Sequence, residues 1–381
     1  MLEQNLVERV LNEALKSGGE FAEVFVEDKR SSSALFDDAK VEELTSGRDR
    51  GAGIRVVAGE TTGFAHTADL SEEGLMIAAK AAASATRTDG ASSQVNALER
   101  VVCPSPNKVE TFPELVAKEK KVNLLIQADE VARSQGAAIT QVSARYGDSR
   151  RKILVANSDG VFATDDQVRS LFSISCVATG DSGMQTGRES IGRPIGFELF
   201  DDVDVEELAE RAAHRALTKL NARPAPSGTM PVVIGSGGGG VLFHEACGHG
   251  LEADLVNKQA SVFAGKVGET VASELVTLID DGTMSHEWGA FAIDDEGRPA
   301  QRNVLIKDGV LVDYMWDGLR SRSEGRLSSG NGRRQSYQVL PMVRMTNTYI
   351  ANGETDPQDI IEDTSKGVYV AQLGGGQVNT A

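Results

Sequence analysis

Apolar residues open the chain at helical spacing. Leu6, Val7, Val10, Leu11, Ala14 and Leu15 predict an amphipathic helix over 3–17, closed by Gly18-Gly19. At Phe21 the rhythm changes to alternation, and FAEVFVEDK reads as a half-buried strand. SSSALFDD, KVEELTSG and GIRVVAGETTGFAHT continue in the same manner, each set off by charged residues or glycine, so they read as separate short strands. The run over 71–86 returns to helical spacing, with Ser71 as its N-cap. A proline-rich connector over 101–113 precedes a long helix from Glu114 to Ser134.

Paired strands follow: AAITQVSARY, RRKILVANS, GVFATDDQ and RSLFSISCVAT, with Asn157-Ser158-Asp159-Gly160 as a hairpin turn. Residues 203–220 predict a helix capped by Asp204. The short stretch NARPAPSG (221–228) marks a boundary, which divides the chain into an N-terminal domain over 1–222 and a C-terminal domain over 223–381. Beyond it, strands are expected at 230–234, in VTLIDD, in NVLIKDGVLVDYMW with a tight turn at Lys307-Asp308-Gly309, in MVRMTNTYI and at 367–372. A short helix is expected over 357–363. Runs of strands between helices, without alternating βαβ units, give an α+β class with mostly antiparallel sheets and flanking helices.

Composition narrows the function. The 381 residues carry 39 Lys+Arg against 56 Asp+Glu, a formal net charge of −17, and no basic run, which disfavours an electrostatic nucleic-acid binder. The acidic clusters, such as Asp201-Asp202, Asp204 and Glu206-Glu207, read mostly as solvation and as favourable charge at a helix start. No stretch approaches 18 uninterrupted apolar residues, and the N-terminus lacks the basic-then-apolar layout of a signal peptide. Three cysteines, Cys103, Cys176 and Cys247, make no disulfide framework, which fits a reducing, cytoplasmic setting. The 40 glycines concentrate in GSGGGG (235–240) and at 374–376.

Chemistry concentrates in one hexapeptide, His244-Glu245-Ala246-Cys247-Gly248-His249. Two imidazoles and a carboxylate on one element are the composition of a zinc hydrolase site, in which the carboxylate takes the proton of a metal-activated water. The two histidines lie five apart, about 140° around an ideal helix, where HExxH ligands lie about 40° apart. A π-turn with its i→i+5 hydrogen bond would return both to one face, and Gly248 would ease that distortion. A His-Glu pair alone proves little, since His286-Glu287 is a second one, read as loop packing. His66 and His214 have no metal-like neighbours.

The run GGGGVLFHEACGHGLEADLV resembles the TldD side of the TldD/PmbA family, zinc metalloproteases with an HExxxH motif. GRDRGAGIRV, SSGNGRRQSYQVLPMVRMTNTYI and KGVYVAQLGGGQV match in order, so the resemblance runs from about residue 20 to the last residue. It implies a two-domain TldD/PmbA-like architecture and a cytoplasmic peptidase that hydrolyses small unfolded peptides. It implies zinc on His244 and His249, with Glu245 as general base for attack by a metal-bound hydroxide. The substrate would lie extended against a sheet edge. A PmbA-like partner subunit, or a second copy in a homodimer, is implied as well.

The family's third ligand is a cysteine in a Gly-Cys-Gly-like segment downstream of GGGQV, whereas this sequence ends at Ala381. A chain cut short before that ligand is therefore expected. Neither Cys103 nor Cys176 has a matching context, and Cys247 should point away from the imidazoles, while Glu252 is a possible substitute ligand. The rival reading is a non-catalytic shell subunit with an incomplete metal site. The glycine run lacks the Gly-Lys-Ser/Thr ending of a phosphate loop and is read as close backbone approach beside the metal. Arg333 and Arg334 follow an Asn331-Gly332 turn. They belong either to a surface loop or to a grip on a peptide carboxylate or oxyanion.

Overall fold

The protein is seen here in a computed structural model, which describes residues 1–86, 93–236 and 238–373. The first half is organised by four long strands. Helix α1 (Gln4–Leu15) leads into β1 (Phe21–Asp37), β2 (Lys40–Ala58) and β3 (Thr61–Thr67), and α2 (Glu72–Ser84) follows. Next come β4 (Glu99–Val101), α3 (Lys118–Ser134), β5 (Ile139–Asn157), β6 (Val161–Gly180) and β7 (Gly183–Arg193). Helices α4 (Leu199–Asp202) and α5 (Val205–Leu220) close this half. The strands form a seven-stranded sheet in the order β3-β2-β1-β5-β6-β4, with β7 also on β6. All its pairings are antiparallel except β4 on β6.

Local chemistry explains these elements. Val7, Val10, Leu11, Ala14 and Leu15 are the buried stripe of α1. The Ser71 hydroxyl accepts from the Gly74 N–H, and the Asp204 carboxylate accepts from the Glu206 N–H, as the predicted caps require. Gly160, at φ +101°, lets the β5–β6 hairpin turn.

The predicted short strands are corrected: FAEVFVEDK and SSSALFDD are one 17-residue strand, and the pairs behind β5 and β6 also merge. The polar stretches that looked like breaks keep their ladder, because backbone pairing is indifferent to side-chain polarity. Asp28 takes Arg48, Asp148 accepts from Ser32 Oγ at 2.5 Å, and Arg150 Nε donates to Asp166 at 2.9 Å. The β1–β2 connection also hid from the pattern. It is made by Asp38 (φ +46°) and Ala39 (φ +61°) without any glycine. The predicted helix at Glu114 begins at Lys118, after a short 3₁₀ turn over 113–115.

Even-numbered residues of β1, β5 and β6 face the helices. Ala22, Val24, Val26, Leu154 and Ala156 pack with α1 and α2, while Ala34, Phe36, Val142, Ala144, Phe172 and Ile174 pack with α3 and α5. On the other face Phe25, Ile153 and Val155 meet Ile293 and Tyr337 from the C-terminal half.

After the irregular stretch 221–231 the elements become short. They are β8 (Val232–Ile234), α6 (Gly238–Phe243), α7 (Ala253–Asn257), β9 (Leu278–Asp281), β10 (Arg302–Lys307) and β11 (Val310–Leu311). Helix α8 (Gly318–Ser323), β12 (Gly332–Arg333), β13 (Met342–Val343), β14 (Thr348–Ile350), α9 (Pro357–Asp363) and β15 (Val368–Val370) complete the chain. β11-β10-β9-β14 make one sheet, β12 pairs β13, and β8 pairs β15 in parallel.

The two halves are joined by buried ions. Arg55 Nη2 donates to Glu23 at 3.0 Å and to Glu296 at 2.7 Å. Arg151 reaches Glu27 at 2.5 Å and Asp295 at 2.6 Å, and Arg334 pairs with Glu23. The acidic run Asp294-Asp295-Glu296 is thus buried at 3% exposure or less, whereas the clusters read as solvation, Asp201-Asp202, Asp204 and Glu206-Glu207, are exposed. Losing one partner of such a pair costs about 3–5 kcal/mol, because the other charge is left buried alone.

Candidate metal centre

The hexapeptide follows β8 and α6. Between them, the Gly235 N–H donates to Val370 O of β15, and a Cβ at Gly235 would sit 3.0 Å from Tyr369 Oη. This close approach is to β15, and a Cβ at Gly240 would meet nothing within 4 Å. Gly237 and the glycines at 374–376 lie outside the described residues.

Helix α6 passes directly into a π-helical turn, His244–Gly248, in which the His249 N–H donates to His244 O. That i→i+5 bond is the distortion the five-residue spacing called for. The His244 and His249 rings lie edge to face with centroids 5.0 Å apart. His249 Nε2 is 4.0 Å from Glu245 Oε2. One ligand atom from each of His244, Glu245 and His249 lies within 4.8 Å of the others, with all three side chains half-buried. Gly248 serves differently from expectation. Its φ of −56° and ψ of −51° suit any residue, whereas a Cβ there would overlap Met345 Sδ. The glycine lets Met345 close under the turn.

Electrostatics favour imidazole as a ligand. Burial first, and then the charge of His249, hold His244 below the ordinary histidine range, with Glu245 and Asp280 acting the other way. Neutral His244 keeps its lone pair for a metal. Two imidazoles and a carboxylate suit zinc chemically, and the spacing of these donors accommodates one ion.

Glu252 stands behind this group rather than in it. Its Oε2 lies 3.2 Å from His249 Nδ1, and Arg344 Nη1 donates to the same oxygen at 3.2 Å. Glu252 is 2% exposed, and burial pushes its carboxyl up against the pull of Arg344 and His249. The backbone fixes it further, since the Met315 N–H donates to Leu251 O and the Ala253 N–H to Met315 O. The possibility of Glu252 as a substitute ligand is therefore corrected: its oxygen holds the ring nitrogen that faces away from Glu245.

No cysteine approaches. Cys247 packs against the apolar core of Leu251, Met315 and Val343, Cys103 sits by Phe25 and Val155, and Cys176 is buried beneath α3 and α5. His286, at φ +63°, lies in an exposed loop, His214 is exposed on α5, and the His66 ring contacts Phe64 and Tyr337.

The two arginines separate. Arg334 is locked in the ion network, donating from Nη1 to Val339 O at 2.8 Å besides pairing with Glu23, so it cannot grip a substrate. Arg333 lies over the Phe291 ring at 5.3 Å. The Asn331-Gly332 stretch is no surface loop: Asn331 is fully buried and its Nδ2 donates to Asp280 at 2.7 Å.

Asp280 is the residue that pattern reading missed. It is fully buried and accepts from the Thr346 N–H at 2.7 Å, Thr346 Oγ1 at 2.9 Å and Thr348 Oγ1 at 3.0 Å, besides Asn331. Burial pushes its carboxyl up, against these four donors. It ties β9 to the segment that carries Met345, which supports the π-turn. In the sequence it is one acid of VTLIDD, with no motif to mark it.

Comparison with known proteins follows the same lines. Family profiles match in order: PmbA/TldA metallopeptidase domain 1 over residues 22–86, the central domain over 113–220 and the C-terminal domain over 227–381. A Haemophilus influenzae protein named "Metalloprotease TldD homolog" is 38% identical over 366 residues, covering 94% of this chain and 76% of that protein. A Saccharolobus solfataricus protein named "Zinc metalloprotease TldD homolog" is 24% identical over 382 residues, covering 98% and 82%. Among solved structures, TldE from Thermococcus kodakarensis has a TM-score of 0.79 at 23% identity, covering 97% of this chain and 83% of that one. It shares the fold.

Proposed function

The chain belongs to the PmbA/TldD metallopeptidase family, and from that premise we propose that it is a zinc-dependent peptidase acting on small unfolded peptides. The observation that carries the proposal is the π-turn that gathers His244, Glu245 and His249 within 4.8 Å. His244 and His249 hold the metal. When bound, zinc supplies the positive charge that polarises a peptide carbonyl and acidifies water.

The chain's own residues do the rest. Glu245 takes the proton of the attacking water and delivers it to the leaving amine. Glu252 accepts from His249 Nδ1–H, so that Nε2 is the nitrogen offered to the metal, and Arg344 balances the Glu252 charge. The peptide lies extended beside a sheet edge, bound largely through its backbone. We place the peptidase part at 223–381 and the supporting sheet and helices at 1–222. A PmbA-like partner subunit or a second copy completes the assembly, and the three free cysteines suit the cytoplasm.

The test is zinc content and cleavage of an unstructured peptide by wild type and Glu245→Gln, each with and without a PmbA-like partner. The variant should keep its zinc and lose cleavage by about 10²–10⁴-fold. Cleavage retained in the variant would sink the role given to Glu245. One observation favours the rival, a shell subunit with an incomplete site. Once Glu245 is assigned to proton transfer, the described cluster offers two ligands, where catalytic zinc normally has three. Zinc binding too weak to survive dialysis, with no cleavage in either arrangement, would decide for that rival.

A further inference from the structure

The polar stretches in the middle of the long strands line a cavity far in sequence from the hexapeptide. It has a volume of about 400 Å³ and lies on the helix-facing side of the sheet, between the strands and the segment 113–121. Its wall holds an unusual ladder. Arg30 on β1 is in register with Arg48 on β2 and with Arg150 on β5, so three guanidiniums stand side by side on one face. Like charges directly across a ladder repel, and a sheet built only for stability has no use for them.

The flanking two are neutralised. Arg48 Nε donates to Asp28 at 2.8 Å, and Arg150 reaches Asp166 at 2.7 Å and Glu114 at 2.7 Å. Arg30, in the centre, makes no ion pair among the described residues, and neither does Lys118 on the opposite lip. Deeper in, Lys121 Nζ donates to Asp148 at 2.6 Å and Ser32 at 3.0 Å. Beside them the fully buried Tyr146 hydroxyl faces the same Asp148 carboxylate. Leu44 supplies an exposed apolar lip. In a chain of net charge −17, this places a cation without a direct ion pair, though its charge also acts on Asp28, at the centre of a concave site with an apolar edge.

We propose that the cavity binds a small organic anion, a carboxylate or phosphate ester on an apolar body, with its charged group on Arg30 between Arg48 and Arg150. The guanidinium ladder supplies charge-assisted donors, and the apolar body covers Leu44. The site is separate from the metal centre and does not depend on the peptidase reading.

The probes are hexanoate, hexyl phosphate and, as a neutral control, hexanol. Each is titrated calorimetrically into the full chain and into Arg30→Gln. Saturable binding of hexanoate, of hexyl phosphate or of both, weakened about tenfold or more in the variant and absent for hexanol, supports the proposal. The arm that binds identifies the head group. Without ligand, Arg30→Gln should unfold in the same temperature range as wild type, which shows that the fold survives the change. No saturable binding of either anion, or equal binding to both proteins, would overturn it.

Discussion

The two halves of the molecule are held together by different means. Over residues 1–222, long strands and amphipathic helices bury Leu11, Leu125, Ile54 and Phe172 in broad apolar cores. Over residues 223–381 strands run two to six residues, and buried polar groups tie the segments: Asp280, Asp294, Asn331, Ser328 and Ser329 are all below a tenth exposed. A core built on area loses stability in proportion to the apolar volume removed. A framework built on hydrogen bonds is directional, and one missing acceptor strands several donors at once. The histidines proposed to hold the metal sit in the second kind of framework, which is suited to fixing a side chain within a fraction of an ångström.

Asp280→Ala strains the polar framework most. It leaves four donors from Asn331, Thr346 and Thr348 without their acceptor and should destabilise the C-terminal half by about 3–5 kcal/mol in urea unfolding. A loss below about 1 kcal/mol would show that packing, not polar ties, holds this half. Leu125→Ala is the counterpart in the first half, where a cavity under α3 should cost about 2–4 kcal/mol by the same measurement.

Glu252→Gln sharpens the contrast at the site itself. Zinc affinity in a chelator competition should fall about 10–100-fold, with the fold intact by circular dichroism. Unchanged affinity would separate Glu252 from the metal. The smallest effect concerns Asp317, which burial and the neighbouring Glu296 carboxylate push up to about 6, against the pull of Arg320. The folded protein then holds this proton more tightly than the unfolded chain, where the carboxyl titrates near 4. Its contribution to stability is therefore present at low pH and lost as pH rises from about 4 through 6. Between pH 4 and pH 7, Asp317→Asn should gain on wild type by about 1–2 kcal/mol, and parallel stability curves would refute the assignment.

Much of this is legible in the residues themselves. Helical spacing locates α1 and α5, the residue types at Ser71 and Asp204 mark the caps, and the five-residue gap between His244 and His249 calls for a π-turn. Other features are not legible there. Polar runs such as DKRSSS look the same whether they end a strand or line a cavity inside one, since only the cross-strand partner distinguishes the cases. Glu252 shares its segment with His249, yet only the Met315 backbone bridge and Arg344 make it an orienting group.

Local order in a chain comes from propensity, periodicity and spacing, which act over a few residues and are written in them. Those forces determined the helices, the α+β class and the grouping of two imidazoles with a carboxylate. Burial is a relation between distant segments. The burial of Asp294-Asp295-Glu296, the pairing of Arg334 with Glu23 and the closure of Met345 beneath Gly248 come from long-range packing. The physical reason is that a charge or a missing Cβ acquires its meaning from whatever packs against it, and that neighbour lies up to 311 residues away.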